Sequence, residues 1–250
     1  METLSTQALP GPPFIRRQSC ESWWGKDIDI VQVACLYDPA AYDDTLYDKV
    51  AVVLPADIEK AVPKRRAEFL AGRYCAQHTL TLLHHAPVHI GVGERRNPLW
   101  PKGIRGSISH STGMAVAVAT QDARISGVGV DIEESMERHV IEQVAGEVLT
   151  ADDAALIAQC AILPEQSFTL IFSAKESFFK AAFPLVGRYF DFDTVSVVDL
   201  DEVHETFQLR LNRPLHPLLP EGVIVEGRFC LLPYEKPRKS IVATLVVLEA

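Results

Sequence analysis

The stretch Gly127–Glu134, GVGVDIEE, begins as an apolar strand and ends in three acids, Asp131, Glu133 and Glu134. Side chains alternate along a strand, so Asp131 and Glu133 share one face and Ile132 takes the other. Two like charges side by side repel unless a positive charge sits between them. Two readings follow: the strand runs out into solvent, or the pair marks a divalent-cation site.

Outward from this stretch the chain repeats a pattern. Upstream, Ile28–Tyr37 reads as a strand, and Val62–His85 reads as a long helix whose Ala67, Leu70, Tyr74, Ala76 and Leu80 are spaced for one buried face. A loop with two prolines, GERRNPLWPKGIRGS, leads to the strands SISHS and MAVAVAT, with Thr112-Gly113 as the turn between them. Downstream, a helix is expected over His139–Cys160 and another over Gln166–Phe183, stopped by Pro184 and Gly187. TVSVVDL, ETFQLRLN, EGRFCLLPY and SIVATLVVL read as strands, and Met1–Pro13 reads as a frayed end. Each half thus carries a long helix followed by β-structure that closes on an alternating strand, which points to two similar halves.

The 250 residues suffice for one large domain or two small ones. Hydrophobic content is 48% and charged content 23%, within the globular range. The formal net charge of −9 argues against general nucleic-acid binding, which needs a basic face. Five widely spaced cysteines without a CxxC fit neither a zinc nor a disulfide framework and predict a reducing cytoplasm. METLSTQALPGPP lacks the apolar core of a signal peptide, and no apolar run reaches the roughly 18 residues of a membrane span.

Three further stretches carry chemistry. In FSAKESFFKAAF, Phe172–Phe183, the aromatics Phe172, Phe179 and Phe183 are spaced for burial, and Glu176 and Lys180 share another face as i and i+4. The plain alternative for that pair is a surface ion pair. In GSISHS, Gly106–Ser111, Ser107, Ser109 and Ser111 share a face and His110 takes the other. That is either a solvated edge strand or a row of hydroxyls plus an imidazole for phosphate or a nucleobase. In PKRRAEFLAGR, Pro63–Arg73, four cations face only Glu68, against the helix dipole. A bulky anion would make use of them; a solvated helix end would not need one.

The order KRRAEFLAGR, RNPLWP, SISHS, GVGVDIEE and FSAKESFFKA followed by PLVGRYFDF resembles the large 4′-phosphopantetheinyl transferases of the surfactin-synthetase and enterobactin-synthetase type, over about Ala34 to the C-terminus. The basic helix and the GRYFDF tail look more like the enterobactin branch. The resemblance implies an α+β fold of two similar halves related by a pseudo-two-fold, residues 1–123 and 124–250, with the active site between them. It implies transfer of 4′-phosphopantetheine from coenzyme A to a serine of an apo acyl, peptidyl or aryl carrier protein, with release of adenosine 3′,5′-bisphosphate. The branch points to siderophore or other nonribosomal peptide synthesis. Asp131 and Glu133 match the family's metal pair and Glu176 its third carboxylate, for Mg²⁺. Lys180 matches a lysine that holds the α-phosphate or protonates the leaving group; the base is either Glu176 or a metal-bound hydroxide. Lys175 is expected at phosphate too. Ser109 and His110 match nucleotide contacts, Arg73 matches a grip on the 3′-phosphate with Arg66 assisting, and Arg96 is the nearest basic residue before Pro98. Glu134 matches no role and reads as solvated.

The carboxylates alone leave a Mg²⁺-dependent nucleotide phosphohydrolase open, and an inactive carrier-docking module is the non-enzymatic alternative. The presence of Asp131, Glu133, Glu176 and Lys180 speaks against decay. Because carriers are generally acidic and this chain is acidic too, docking must use a local basic or apolar patch. A chain that supplies both halves of the site is expected to be a monomer.

Overall fold

The alternating stretches become antiparallel strands, and each half places one long helix across its sheet. The computed structural model describes residues 14–25, 27–86, 88–111, 113–233 and 240–250. The chain divides into two units, Met1–Asp122 and Ala123–Ala250. The expectations for Met1–Pro13, for Thr112 in the hairpin turn and for Tyr234 at a strand end lie outside the described residues.

The first unit runs β1 (Ile15–Ser19), β2 (Val31–Tyr37), two single-turn helices α1 (Leu46–Lys49) and α2 (Ala56–Glu59), then α3 (Pro63–Leu82). A short hairpin, β3 (Gly91–Val92) and β4 (Pro98–Leu99), precedes β5 (Arg105–Ser111) and β6 (Met114–Thr120). The sheet order is β1-β2-β6-β5, so β5 is an edge. Pro63 opens α3 where its missing N–H has no helical partner anyway. The helix buries Ala67, Leu70, Ala71, Cys75, Ala76 and Leu80. Tyr74, expected on that face, is half-buried and donates its hydroxyl to Gln18 at 2.6 Å. The phenol finds a polar partner at the rim, and the smaller Cys75 fills the core place beside it.

The second unit runs β7 (Ile125–Glu134), α4 (Arg138–Val148), α5 (Ala151–Ile157), α6 (Pro164–Val186), β8 (Val195–Asp201), β9 (Thr206–Leu211), β10 (Ile224–Pro233) and β11 (Ser240–Glu249). The sheet order is β7-β11-β10-β9-β8. The expected helix over His139–Cys160 is two helices. Leu149 is extended, and Thr150 starts α5 with a capping box to Asp153. Pro184 lies inside α6, in its last turn; the stop comes at Gly187, whose φ of 67° closes the helix.

The glycines of GVGVDIEE explain how α6 reaches the acids. A Cβ on Gly127 would lie 2.1 Å from the Ala181 carbonyl oxygen, and one on Gly129 only 1.9 Å from that of Ser177. The helix backbone therefore rests directly on the strand face that carries Asp131 and Glu133. Gly129→Ala must lift the helix, and overpacking of this kind typically costs about 1–3 kcal/mol or more. Denaturant unfolding is expected to show a loss at the upper end of that range; a change within about 0.5 kcal/mol would contradict the seating.

Candidate active site

In the second unit Asp131 is buried and paired in register with Thr244 of β11. Its Oδ2 accepts from Ser173 Oγ at 2.8 Å, and its Oδ1 accepts from Lys180 Nζ at 2.7 Å. Lys180 also donates to the Val130 carbonyl at 3.1 Å. Ser173 Oγ lies 2.8 Å from Thr244 Oγ1, which lies 2.6 Å from Ser177 Oγ. All three hydroxyl residues are fully buried. A single carboxylate is thus held from beneath by a serine and from its open side by an ammonium. Lys180, expected on the same helix face as Glu176, pairs with Asp131, and its side chain is 26% exposed.

Glu133 and Glu176 stand half-buried in the same field. Burial first, then the charges of Asp131 and Glu176, push the Glu133 carboxyl up to about 8, against the pull of Lys180. Burial likewise raises Glu176, helped by Asp131 and opposed by Lys180. Here the sign of the pH dependence is fixed. A carboxyl raised above its ordinary 4.5 binds a proton in the folded state that the unfolded chain has already lost. Stability is therefore full at low pH and falls as pH rises from about 4.5 through about 8. In a chelator, the melting temperature is expected to decline over that window, and Glu133→Gln is expected to flatten the decline. An equal slope in that variant would contradict it. Among the described residues, no cluster of three His, Cys, Asp or Glu side chains is placed to hold a metal ion.

A cavity of about 280 Å³ opens beside Glu176, lined by Phe179, Tyr189, Phe190, Phe192 and Val195. Phe179 stacks on Tyr189 with ring centroids 5.7 Å apart and meets Phe190 at 4.9 Å. The expectation that Phe172, Phe179 and Phe183 form the buried face of α6 is corrected here. Phe172 and Phe179 are only half-buried, while Ser173, Ser177, Phe178 and Ala181 are fully buried. Because every buried hydroxyl has a partner, a serine face can be the inner one.

Lys175, expected at phosphate, is held in the interior by protein partners. Its side chain is 1% exposed and its ammonium is bound to Asp153 Oδ2 at 2.5 Å, to the Val148 carbonyl at 2.8 Å and to the Phe192 carbonyl at 3.2 Å. One step along a helix turns the side chain by about 100°, so the neighbour of a site residue points elsewhere. Glu134, expected to be solvated, is half-buried.

In the first unit Arg65 Nη1 lies 2.6 Å from His110 Nε2. A guanidinium only donates, so Nε2 accepts and the ring proton sits on Nδ1, 3.9 Å from Glu68 Oε2. Arg73 is buried, donates Nη2 to the Gly91 carbonyl at 3.1 Å and lies 4.8 Å over the Phe69 ring. Its Nε is buried with no hydrogen-bond partner among the described residues. Burial, with the nearby Arg65 charge, pulls its pKa down to about 10. Arg66 gives Nη1 to Asp44 at 2.5 Å and lies 5.9 Å over Tyr42. Ser107 and Ser109 are buried rather than solvated, while His110 is half-buried on the opposite face of β5. A ligand at this edge strand can be met from both faces. Arg96 stands exposed in the β3–β4 turn at a φ of 64°.

Asp131, Glu133, Glu176 and Lys180, singled out in the sequence, lie within one another's electrostatic field. The contacts made by Ser173, Ser177 and Thr244, and Arg65 as the partner of His110, were not read from the sequence. The basic run at the start of α3 was the available signal for Arg65; a lone threonine in SIVATLVVL gave little for Thr244.

Comparison with known proteins places the chain among related sequences. The family model for the 4′-phosphopantetheinyl transferase N-terminal domain matches residues 54–120, and that for the 4′-phosphopantetheinyl transferase superfamily matches residues 127–222. Enterobactin synthase component D of Salmonella typhi is 36% identical over 152 residues, 61% of this chain and 62% of that protein. The 4′-phosphopantetheinyl transferase Npt of Nocardia iowensis is 34% identical over 158 residues, 61% of this chain and 64% of that one. The match therefore spans under two thirds of the length of either relative. The 4′-phosphopantetheinyl transferase Svp of Streptomyces mobaraensis is 34% identical over 194 residues, 75% of this chain and 74% of that one.

Proposed function

The chain belongs to the 4′-phosphopantetheinyl transferase superfamily, and from that premise we propose that it moves 4′-phosphopantetheine from coenzyme A onto a serine of an apo carrier protein. The observation that carries the reading is the charge arrangement at Asp131: three acids in one field, with Lys180 on one of them. The carrier serine oxygen bonds to the phosphorus next to pantetheine. The bond from that phosphorus to the bridging oxygen breaks, and adenosine 3′,5′-bisphosphate leaves. Glu176, with its carboxyl raised by burial, takes the serine proton. Lys180 faces the charge that grows on the leaving phosphate, as the ammonium nearest the carboxylate group. The aromatic cavity beside Glu176 suits the uncharged pantetheine arm.

Asp131, Glu133 and Glu176 are the residues that would hold Mg²⁺. The fit rests on Glu133, a desolvated carboxyl opposed by two neighbouring acids, which a cation relieves. Mg²⁺ commonly takes one or two carboxylates and fills its shell with water and substrate phosphate, so a closed protein cage is not required. When bound, it supplies neutralising charge at the pyrophosphate.

In the first unit, Arg73, His110 and Ser109 are proposed to meet the nucleotide end of coenzyme A, with Arg65 behind His110. A buried guanidinium with an unpartnered Nε favours an anion. Arg73→Ala is expected to weaken coenzyme A binding about tenfold more than dephospho-coenzyme A binding, measured by calorimetry. Equal losses for the two ligands would assign Arg73 to the fold. The relatives named for enterobactin synthesis favour a siderophore or other nonribosomal peptide carrier. Free cysteines fit a cytoplasmic site of action, and no helix among the described residues is long and apolar enough to cross a membrane.

The test is mass spectrometry of apo carrier proteins incubated with coenzyme A, Mg²⁺ and this protein. A gain of one phosphopantetheine on the carrier serine supports the reading. Phosphate release without carrier modification would replace it with nucleotide hydrolysis, and no product at all would leave a docking role.

A further inference from the structure

We propose that Lys175 is a positioning residue, not a phosphate ligand: with Asp153 it forms a buried clamp that fixes the cavity wall and the helical turn carrying Glu176. The inference rests on the transfer reading, but its geometry is independent of it. An ammonium has three N–H donors, and all three of Lys175 are placed, on Asp153 Oδ2, the Val148 carbonyl and the Phe192 carbonyl. Reaching a phosphate would mean abandoning a buried partner.

Asp153 is equally committed. Its Oδ2 also accepts from the Thr150 backbone N–H at 2.7 Å and from Thr150 Oγ1 at 2.8 Å, and its Oδ1 accepts from the Val197 N–H at 2.7 Å. Both side chains are fully buried, at 1% and 0% exposure. The pair therefore ties four places together: the end of α4, the start of α5, the β8 strand and Phe192. Phe192 and Val195 line the cavity beside Glu176, and Lys175 precedes Glu176 on the same helix. Breaking a buried pair strands a charge, which disturbs everything bonded to it.

Three variants test this: Lys175→Met, Asp153→Asn and the double variant. The readouts are binding of adenosine 3′,5′-bisphosphate and of coenzyme A, single-turnover transfer, and thermal unfolding. A clamp predicts that each single variant melts lower and transfers at least about tenfold more slowly, with bisphosphate affinity within about twofold of the parent. The double variant should lose less than the two singles combined, in both stability and rate, because neither leaves the other unpaired. A phosphate ligand predicts otherwise. Lys175→Met would weaken bisphosphate and coenzyme A binding about tenfold or more, Asp153→Asn would bind and turn over normally, and the double variant would recover nothing. That set of results overturns the proposal. If Lys175→Met does not fold, Asp153→Asn decides: slowed transfer with intact bisphosphate binding supports the clamp, and normal transfer overturns it. A parent protein that modifies no carrier would instead defeat the transfer reading, while coupling between the two sites in unfolding would still report the clamp.

Discussion

Asp131→Asn is expected to remove nearly all carrier modification while leaving a folded protein. Asparagine has the shape of aspartate, and its carbonyl oxygen still accepts from Ser173. What disappears is the charge that faces Lys180 and the acid that would share the pyrophosphate counter-charge with Glu133 and Glu176. Loss of one preorganised electrostatic group of this kind costs about 10²–10³ in rate, or roughly 2.7–4 kcal/mol. Single-turnover transfer at saturating carrier and coenzyme A measures it. Removing one of three crowded acids lowers the repulsion on Glu133 but also takes the carboxylate from Lys180, so the two effects oppose and metal-free Asp131→Asn should melt close to the parent above neutral pH. Turnover within about threefold of the parent would take Asp131 out of the chemistry.

The second large effect belongs to Lys180. Lys180→Ala is expected to slow transfer by about 10²-fold or more and to change coenzyme A affinity only a few-fold. An interaction made chiefly in the transition state appears in kcat and leaves binding nearly untouched. The structure adds a cost in stability, because Lys180 is the ammonium on Asp131 and its loss removes that ion pair. The pair is partly open to solvent, so the cost should stay near 1–2 kcal/mol. Lys180→Arg keeps the charge but cannot give up its proton, and is expected to recover binding and stability more fully than rate. A variant that melts earlier yet transfers at the normal rate would make Lys180 a structural residue.

The acids were legible because a strand has a strict period of two, and GVGVDIEE obeys it. Glu176 and Lys180 were legible because i and i+4 share a helix face. The buried partner of Lys175 was illegible for a reason just as physical. Adjacent helix positions diverge, and its partner Asp153 lies in a segment whose capping box breaks one expected helix into two. Serines 173 and 177 were passed over because small hydroxyls on an aromatic helix look like filler; only the three-dimensional pairing with Thr244 shows their use. β1 escaped because IRRQS shows no apolar alternation, being made by pairing with β2 rather than by burial of its own side chains. Pro184 misled because a proline late in a helix removes a bond near where the ladder ends anyway.

The row of hydroxyls beneath Asp131 has a sense of travel. An ionised carboxylate accepts only, so Ser173 must point its proton at Asp131. Ser173 is then free to accept from Thr244, whose Oγ1 also lies 2.6 Å from the Ser177 hydroxyl that donates to the Thr244 carbonyl at 3.0 Å. The two dipoles of Ser173 and Thr244 line up head to tail, each strengthening the other. The polarity of the row is thus a record of the charge at the strand end, kept in the dry interior on the neighbouring strand at Thr244.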